Sequence, residues 1–164
     1  MGGKAKGGKF ERETCVLLSK WWTKGKREDI FWRSSSSGGR ATVRGRKGKR
    51  TAGSSGDVAA IDKIGDPLID LVAIELKRGH SKVSIADLLD KSDNDRLHKP
   101  MLEQWILQAE ESCENAGSYS WLIIQRRDRK EPIAIMPHNL YKRLAFDAYP
   151  CPSLLMRFEV DGEV

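Results

Sequence analysis

The sequence predicts an α/β fold: a mixed β-sheet flanked by helices, with a core ordered αβββαβ. Three observations carry this expectation. Apolar residues recur at helical spacing in two long segments, one starting at Phe10 and one over residues 99–116. Between them lie two nearly continuous apolar runs, Val58–Ile64 and Leu68–Leu76, the pattern of strands buried on both faces. Further β-prone runs follow the second helical segment, so helices and strands alternate along the chain. The 164 residues suit one domain, here residues 10–164.

Residues 1–9 are Gly/Lys-rich and read as a flexible basic arm. From Phe10, the residues Phe10, Thr14, Leu17, Leu18 and Trp21 fall on one helical face, which residues 23–29 interrupt. Ile30–Arg33 is a short strand, cut off by the serines and glycines at 34–39. Residues 40–56 have many cations, several glycines and no acid, so they read as a basic loop insertion. The two apolar runs are separated by Gly65-Asp66-Pro67, a turn signal that predicts a hairpin. Residues 78–99 are polar, with a short helix near Ile85–Leu89. The second long helix has Pro100 in its first turn, an apolar stripe of Leu102, Trp105, Ile106, Ala109, Cys113 and Ala116, and Gly117 as its stop. Strands are expected at Tyr119–Gln125 and Pro132–Met136, a short helix at Pro137–Phe146, and a last strand at Leu154–Val160.

Composition narrows the function classes. The chain is 39% hydrophobic and 32% charged, with a formal net charge of +6. That average conceals a split, because residues 1–50 carry a net +11 and residues 51–164 a net −5. A basic segment beside an acidic one points to a polyanionic partner, with nucleic acid foremost. No run approaches the roughly 18 apolar residues of a membrane span, and the N-terminus has no apolar segment of the kind a secretory signal needs. Cys15, Cys113 and Cys151 are widely spaced and odd in number, which predicts reduced thiols in a cytoplasmic protein. The three histidines are equally scattered, so a structural zinc site is not expected.

The hairpin holds the most informative anomaly. Asp57 opens its first strand, and Glu75 and Lys77 close the second. Counting outward from Asp66 places Asp57 opposite Glu75, roughly 5 Å apart at Cβ. Glu75 and Lys77 share one face of the strand while Leu76 faces the other way. Two carboxylates this close in a half-buried sheet repel unless a cation joins them. Carboxylates, a backbone carbonyl and waters suit Mg2+, with Mn2+ as a substitute. Lys77 would then sit beside the metal, able to hold or help deprotonate an attacking water. A simpler reading pairs Glu75 with Lys77 at a strand end.

Taken together, Glu11-Arg12, Arg33-Ser34, Gly56-Asp57 and Glu75-Leu76-Lys77 resemble the PD-(D/E)xK nuclease superfamily. More narrowly, they are similar to the archaeal-type Holliday junction resolvases. In that family K-G-x-x-x-E-R-E opens the first helix, and Gly7-Gly8-Lys9-Phe10-Glu11-Arg12-Glu13 is similar. A strand ending in Arg and a Ser/Gly loop follow in the family, as Phe31–Ser36 does here. Asp57 and Ile74-Glu75-Leu76-Lys77 match its catalytic Asp and I-E-V-K strand. These matches run from about residue 7 to 78.

The resemblance implies a restriction-endonuclease-like fold and a Mg2+-dependent endonuclease, most specifically one acting on four-way DNA junctions as a homodimer. Asp57, Glu75 and the carbonyl of Leu76 would bind the metal, and Glu11 would reach it directly or through water. Lys77 would act on the attacking water. Arg12, Arg33 and a serine among Ser34, Ser35 and Ser36 would hold phosphates, and Gln104 or Gln108 would orient a water or phosphate. Other nucleases of the superfamily, cutting flaps, single strands or specific duplex sites, are the first alternative. A DNA-binding module without activity is the second, and the intact Asp57, Glu75 and Lys77 argue against it.

The chain departs from the family pattern in three places. Gly56 stands where the superfamily's proline would be. The link between the Ser/Gly loop and Asp57 is longer, and so is the polar stretch at 79–99. Within the longer link, Arg40, Arg44, Arg46, Lys47, Lys49 and Arg50 place six cations in eleven residues, a candidate DNA grip. The run GRKGKRT lacks the G-x-x-x-x-G-K-[ST] spacing of a phosphate-binding loop, so an ATPase is not predicted. Trp21, Trp105 and Trp121 fall on apolar faces and are assigned to the core. Trp22 and Trp32 fit core or subunit packing, or stacking on an unpaired base.

Overall fold

The computed structural model describes residues 3–34, 54–89 and 99–146. The expected last strand at 154–160, Ser35, Ser36 and the six cations between Arg40 and Arg50 lie outside the described residues.

Helix α1 runs over Gly3–Trp22. It begins well before Phe10, where the apolar periodicity sets in, so residues 3–9 have helical backbone. Phe10, Thr14, Cys15 and Ser19 are buried, and Leu18 and Trp21 pack on the same core. Leu17 instead stays 62% exposed. The helix ends where Lys24 and Gly25 take positive φ, and Gly25 N–H donates to the Lys20 carbonyl.

Ser19 ties the next strand to this helix. Its hydroxyl donates to the Cys15 carbonyl at 2.8 Å and accepts from the Ile30 and Phe31 N–H groups at 3.1 and 3.0 Å. Strand β1, Phe31–Arg33, therefore starts against the last turn of α1. It pairs antiparallel with β3, Val58–Ala60, which pairs on its other side with β2, Ser54–Ser55. The last part of the expected basic loop is thus a strand of this small sheet.

The predicted hairpin is not formed. After β3 the chain makes a 3-10 turn at Lys63–Gly65 and a short helix α2 at Asp66–Leu71 before β4, Val72–Arg78. Asp62 caps the turn by accepting from Ile64 N–H, and Arg27 holds Asp62 from outside at 2.7 Å. Pro67 occupies the first turn of α2, where its missing N–H costs nothing. Gly65-Asp66-Pro67 is therefore a helix start, with Leu68 and Ile69 buried beneath it. An Asp-Pro step suits both a turn and a helix N-terminus, and periodicity in so short a run does not separate them.

Because of this crossover, β4 does not pair antiparallel with β3. A single parallel bridge, Gly56 to Ile74, joins the small sheet to a second one. In the second sheet β4 runs parallel to β5, Ser120–Arg126, and β5 runs antiparallel to β6, Ile133–Ile135. A short helix α3, Ala86–Leu89, and the long helix α4, Met101–Ala116, connect β4 to β5. Pro100 is the residue before α4 rather than part of its first turn, and Gly117 closes the helix with φ 71°. Helix α5, His138–Phe146, follows β6.

The result is a mixed α/β architecture with helices on both faces of the sheet. On one face Ile74, Leu76 and Leu122 pack with α1, α2 and Leu140 of α5. On the other, Ile123 packs with Leu102, Trp105 and Ala109 of α4 and with Val83. Trp21 and Trp22 pack on the first core, and Trp22 Nε1 donates to the Ile64 carbonyl. Trp105 and Trp121 belong to the second core. Trp32 is 45% exposed and lines an apolar cleft of about 1090 Å3 between α1, β5, β6 and α5. Among the described residues no helix is long and apolar enough to cross a membrane.

Candidate active site

Asp57 sits where the two sheets meet, and its backbone is held on both sides. Its N–H donates to the Ile74 carbonyl at 2.8 Å, and its carbonyl accepts from Ser34 N–H at 2.8 Å. Its carboxylate is also fixed, because Oδ2 accepts from the Leu76 N–H at 2.9 Å. Asp57 and Glu75 therefore come together across a parallel bridge, by backbone contacts that the expected hairpin register does not contain. Gly56 makes this approach possible. It has φ 71°, and a Cβ there would overlap the Ile74 carbonyl and lie 3.1 Å from Glu75 Oε1.

Glu75 is 3% exposed and lies on the α4 face of β4. Its Oε2 accepts from Lys77 Nζ at 3.1 Å and from Gln108 Nε2 at 3.1 Å. Its Oε1 accepts from the Ser112 hydroxyl at 2.8 Å. Lys77 Nζ also donates to Gln108 Oε1 at 2.8 Å. The Gln108 amide thus links acid and ammonium, and only one orientation serves both; flipped, it would set donor against donor and acceptor against acceptor. Burial pushes the Glu75 carboxyl up, and the charge on Asp57 adds to this. Lys77 and the Ser112 hydrogen bond act in the opposite direction.

Of the two glutamines, Gln108 contacts Glu75 and Lys77, and Gln104 does not. Gln104 Nε2 instead donates to the Lys99 carbonyl at 2.8 Å, at the start of α4. Ser112 was not anticipated from the sequence. Its signal is its position four residues after Gln108, on the ridge Gln104–Gln108–Ser112 along the border of the apolar stripe.

Glu11 and Arg33 approach the same edge from α1 and β1. Glu11 Oε2 is a buried atom 3.2 Å from Arg33 Nε, an ion pair without hydrogen-bond alignment. Among the described residues no three His, Cys, Asp or Glu side chains gather into a metal cluster. A direct place for Glu11 beside Asp57 and Glu75 is therefore not observed. The Cys15 thiol lies beneath these groups, pushed up to about 11 by burial first and then by Glu11.

The guanidinium groups of Arg12 and Arg33 both pass Gly8, where a Cβ would lie 3.7 and 3.2 Å from them. Two guanidinium groups thus converge at Gly8 of α1, and one of them belongs to Arg33, which pairs with Val58 next to Asp57. Ser34 differs from the expected phosphate contact, since it is buried at 3% exposure and its N–H serves Asp57.

The donors present fit a hard divalent cation. Glu75 and Asp57 together carry one more negative charge than Lys77 offsets, and both are oxygen ligands. Leu76 adds a third oxygen. Its N–H points to Asp57, and in an extended strand the carbonyl of the same residue points to the same side.

A family model described as "Phage putative PDDEXK endonuclease" matches residues 2–163. This agrees with the superfamily that the sequence motifs resemble, but the matched family is a phage one and not the archaeal Holliday junction resolvases. No curated protein and no solved structure matches the chain.

Proposed function

Because the chain belongs to the phage PDDEXK endonuclease family, we propose that it is a Mg2+-dependent structure-selective DNA endonuclease that cuts four-way junctions. The observation that supports this reading best is the convergence of Asp57, Glu75 and Lys77 at one sheet edge, with the Leu76 N–H bonded to Asp57. Asp57, Glu75 and the Leu76 carbonyl are the residues that would hold the cation. When bound, such a cation withdraws charge from the scissile phosphate and makes a nearby water more acidic.

The protein's own groups do the rest. Lys77, kept beside Glu75 by Gln108, places a positive charge where the attacking water and the phosphate meet. Arg12 and Arg33 hold neighbouring phosphates, and Glu11 keeps Arg33 in place. The six cations from Arg40 to Arg50 grip the DNA backbone. The choice of four-way junctions rests on the motif resemblance across residues 7–78. Symmetric cutting of a junction asks for two sites related by a two-fold axis, so a homodimer is part of the reading.

The test compares four-way junction, flap, single-stranded and linear duplex DNA, with and without Mg2+. Wild type should nick junctions at symmetric positions only with the cation present. Asp57→Asn and Glu75→Gln should lower cleavage by more than about a hundredfold while DNA binding survives. Faster cutting of flaps or single strands would replace the junction reading with another nuclease specificity. Cleavage unchanged in both variants would remove the metal-site assignment.

A further inference from the structure

The two oxygens of Glu75 face different neighbours. Oε2 faces Lys77 and Gln108. Oε1 lies on the Gly56–Asp57 side, 3.1 Å from the place a Cβ on Gly56 would occupy. Oε1 is therefore the oxygen turned toward Gly56, the chain neighbour of Asp57, and the Ser112 hydroxyl is its hydrogen-bond donor at 2.8 Å. One bond to Ser112 leaves a carboxylate oxygen further acceptor capacity, so the hydroxyl orients Oε1 without using it up.

We propose that Ser112 is a positioning residue for the divalent cation: it aims Glu75 Oε1 at the Asp57 edge. This rests on the reading of Asp57 and Glu75 as metal ligands. Gln108 and Ser112 grip the carboxylate from successive turns of α4, one oxygen each, and so block rotation of the carboxylate about its terminal bond. Such a terminal torsion is otherwise broad. Without Ser112, Oε1 has no partner on α4, and the carboxylate must be ordered by the cation itself. The cost falls on cation affinity, while the rate with the site filled is set by Lys77 and the phosphate contacts.

The test measures Ca2+ binding by calorimetry on the full chain in the absence of DNA, and Mg2+ dependence of cleavage in parallel. Ser112→Ala should bind Ca2+ about tenfold more weakly. It should also need about tenfold more Mg2+ for half-maximal rate, with kcat at saturating Mg2+ within about threefold of wild type. Ser112→Thr, which keeps the hydroxyl, should restore both values. Ca2+ affinity unchanged in Ser112→Ala overturns the proposal. So does a loss that Ser112→Thr fails to restore, or one confined to kcat. Asp57→Asn separates the two levels: if wild type binds no Ca2+, or Asp57→Asn binds it as well as wild type does, the metal-site reading itself is wrong.

Discussion

Gly56 is where a single atom would change the molecule most. An L-residue at φ 71° costs about 1–2 kcal/mol, and a Cβ there would also collide with the Ile74 carbonyl that receives Asp57 N–H. Gly56→Ala should lower unfolding free energy by at least about 2 kcal/mol in a denaturant titration, and a variant within 0.5 kcal/mol of wild type, about the spread of a neutral surface change, would contradict this account. Glu75 makes a different prediction at the same scale. Its carboxyl is held above its ordinary 4.5 by burial and by Asp57, so the folded chain keeps this proton longer than the unfolded one. In the cation-free protein that contribution to stability is full at or below about pH 4.5 and is lost as pH rises through the higher folded value. Glu75→Gln removes this slope. The stability of wild type relative to Glu75→Gln should therefore fall as pH rises above about 4.5, and a difference that stays flat or rises would refute the burial account.

Elements are positioned by a few polar anchors as much as by apolar stripes. Ser19 is 0% exposed and accepts two N–H groups at the start of β1, which have no water to turn to if the hydroxyl is lost. Ser19→Ala should cost about 2–4 kcal/mol, seen as a lower urea midpoint with an unchanged slope. No loss at all would mean that β1 is not held through Ser19. Helix α4 illustrates how an element carries both fold and site. Its stripe of Leu102, Trp105 and Ala109 buries against the sheet, and the ridge beside that stripe carries Gln108 and Ser112 to Glu75. The residues of helix α2 suit part of a strand because Leu68–Leu76 is nearly continuously apolar. Only the burial of Leu68 and Ile69 beneath a helix started by Asp66 and Pro67 distinguishes the two.

At the scale of the whole molecule, the sheet lies between α1 and α5 on one face and α4 on the other, and the proposed site sits at the edge where the two small sheets touch. Part of the basic half of the chain lies close by, since Arg12 and Arg33 converge at Gly8 and Arg33 pairs with Val58 next to Asp57. If four to six cations of residues 40–50 also neutralise phosphates, log K for DNA should fall with log[salt] at a slope of about −4 to −5. Deleting residues 41–52 should flatten that slope and weaken binding. Equal affinity and slope in the deletion would exclude this segment as the grip.

Periodicity along the chain suffices for the α/β class, both long helices and the strands around residues 58 and 120. Periodic stripes and the placement of Asp57, Glu75 and Lys77 survive in one dimension because strand alternation is local: Glu75 and Lys77 share a face whatever the sheet around them. How Asp57 meets Glu75 was decided only by the tertiary structure. A hairpin register counted along the chain assumes a continuous strand pair, whereas a 3-10 turn and α2 intervene and the contact is made in parallel through Gly56 and Ile74. The choice of Gln108 over Gln104, and the presence of Ser112, were decided in the same way. All three lie on one ridge of α4, and only the distance along the helix axis to Glu75 selects between them.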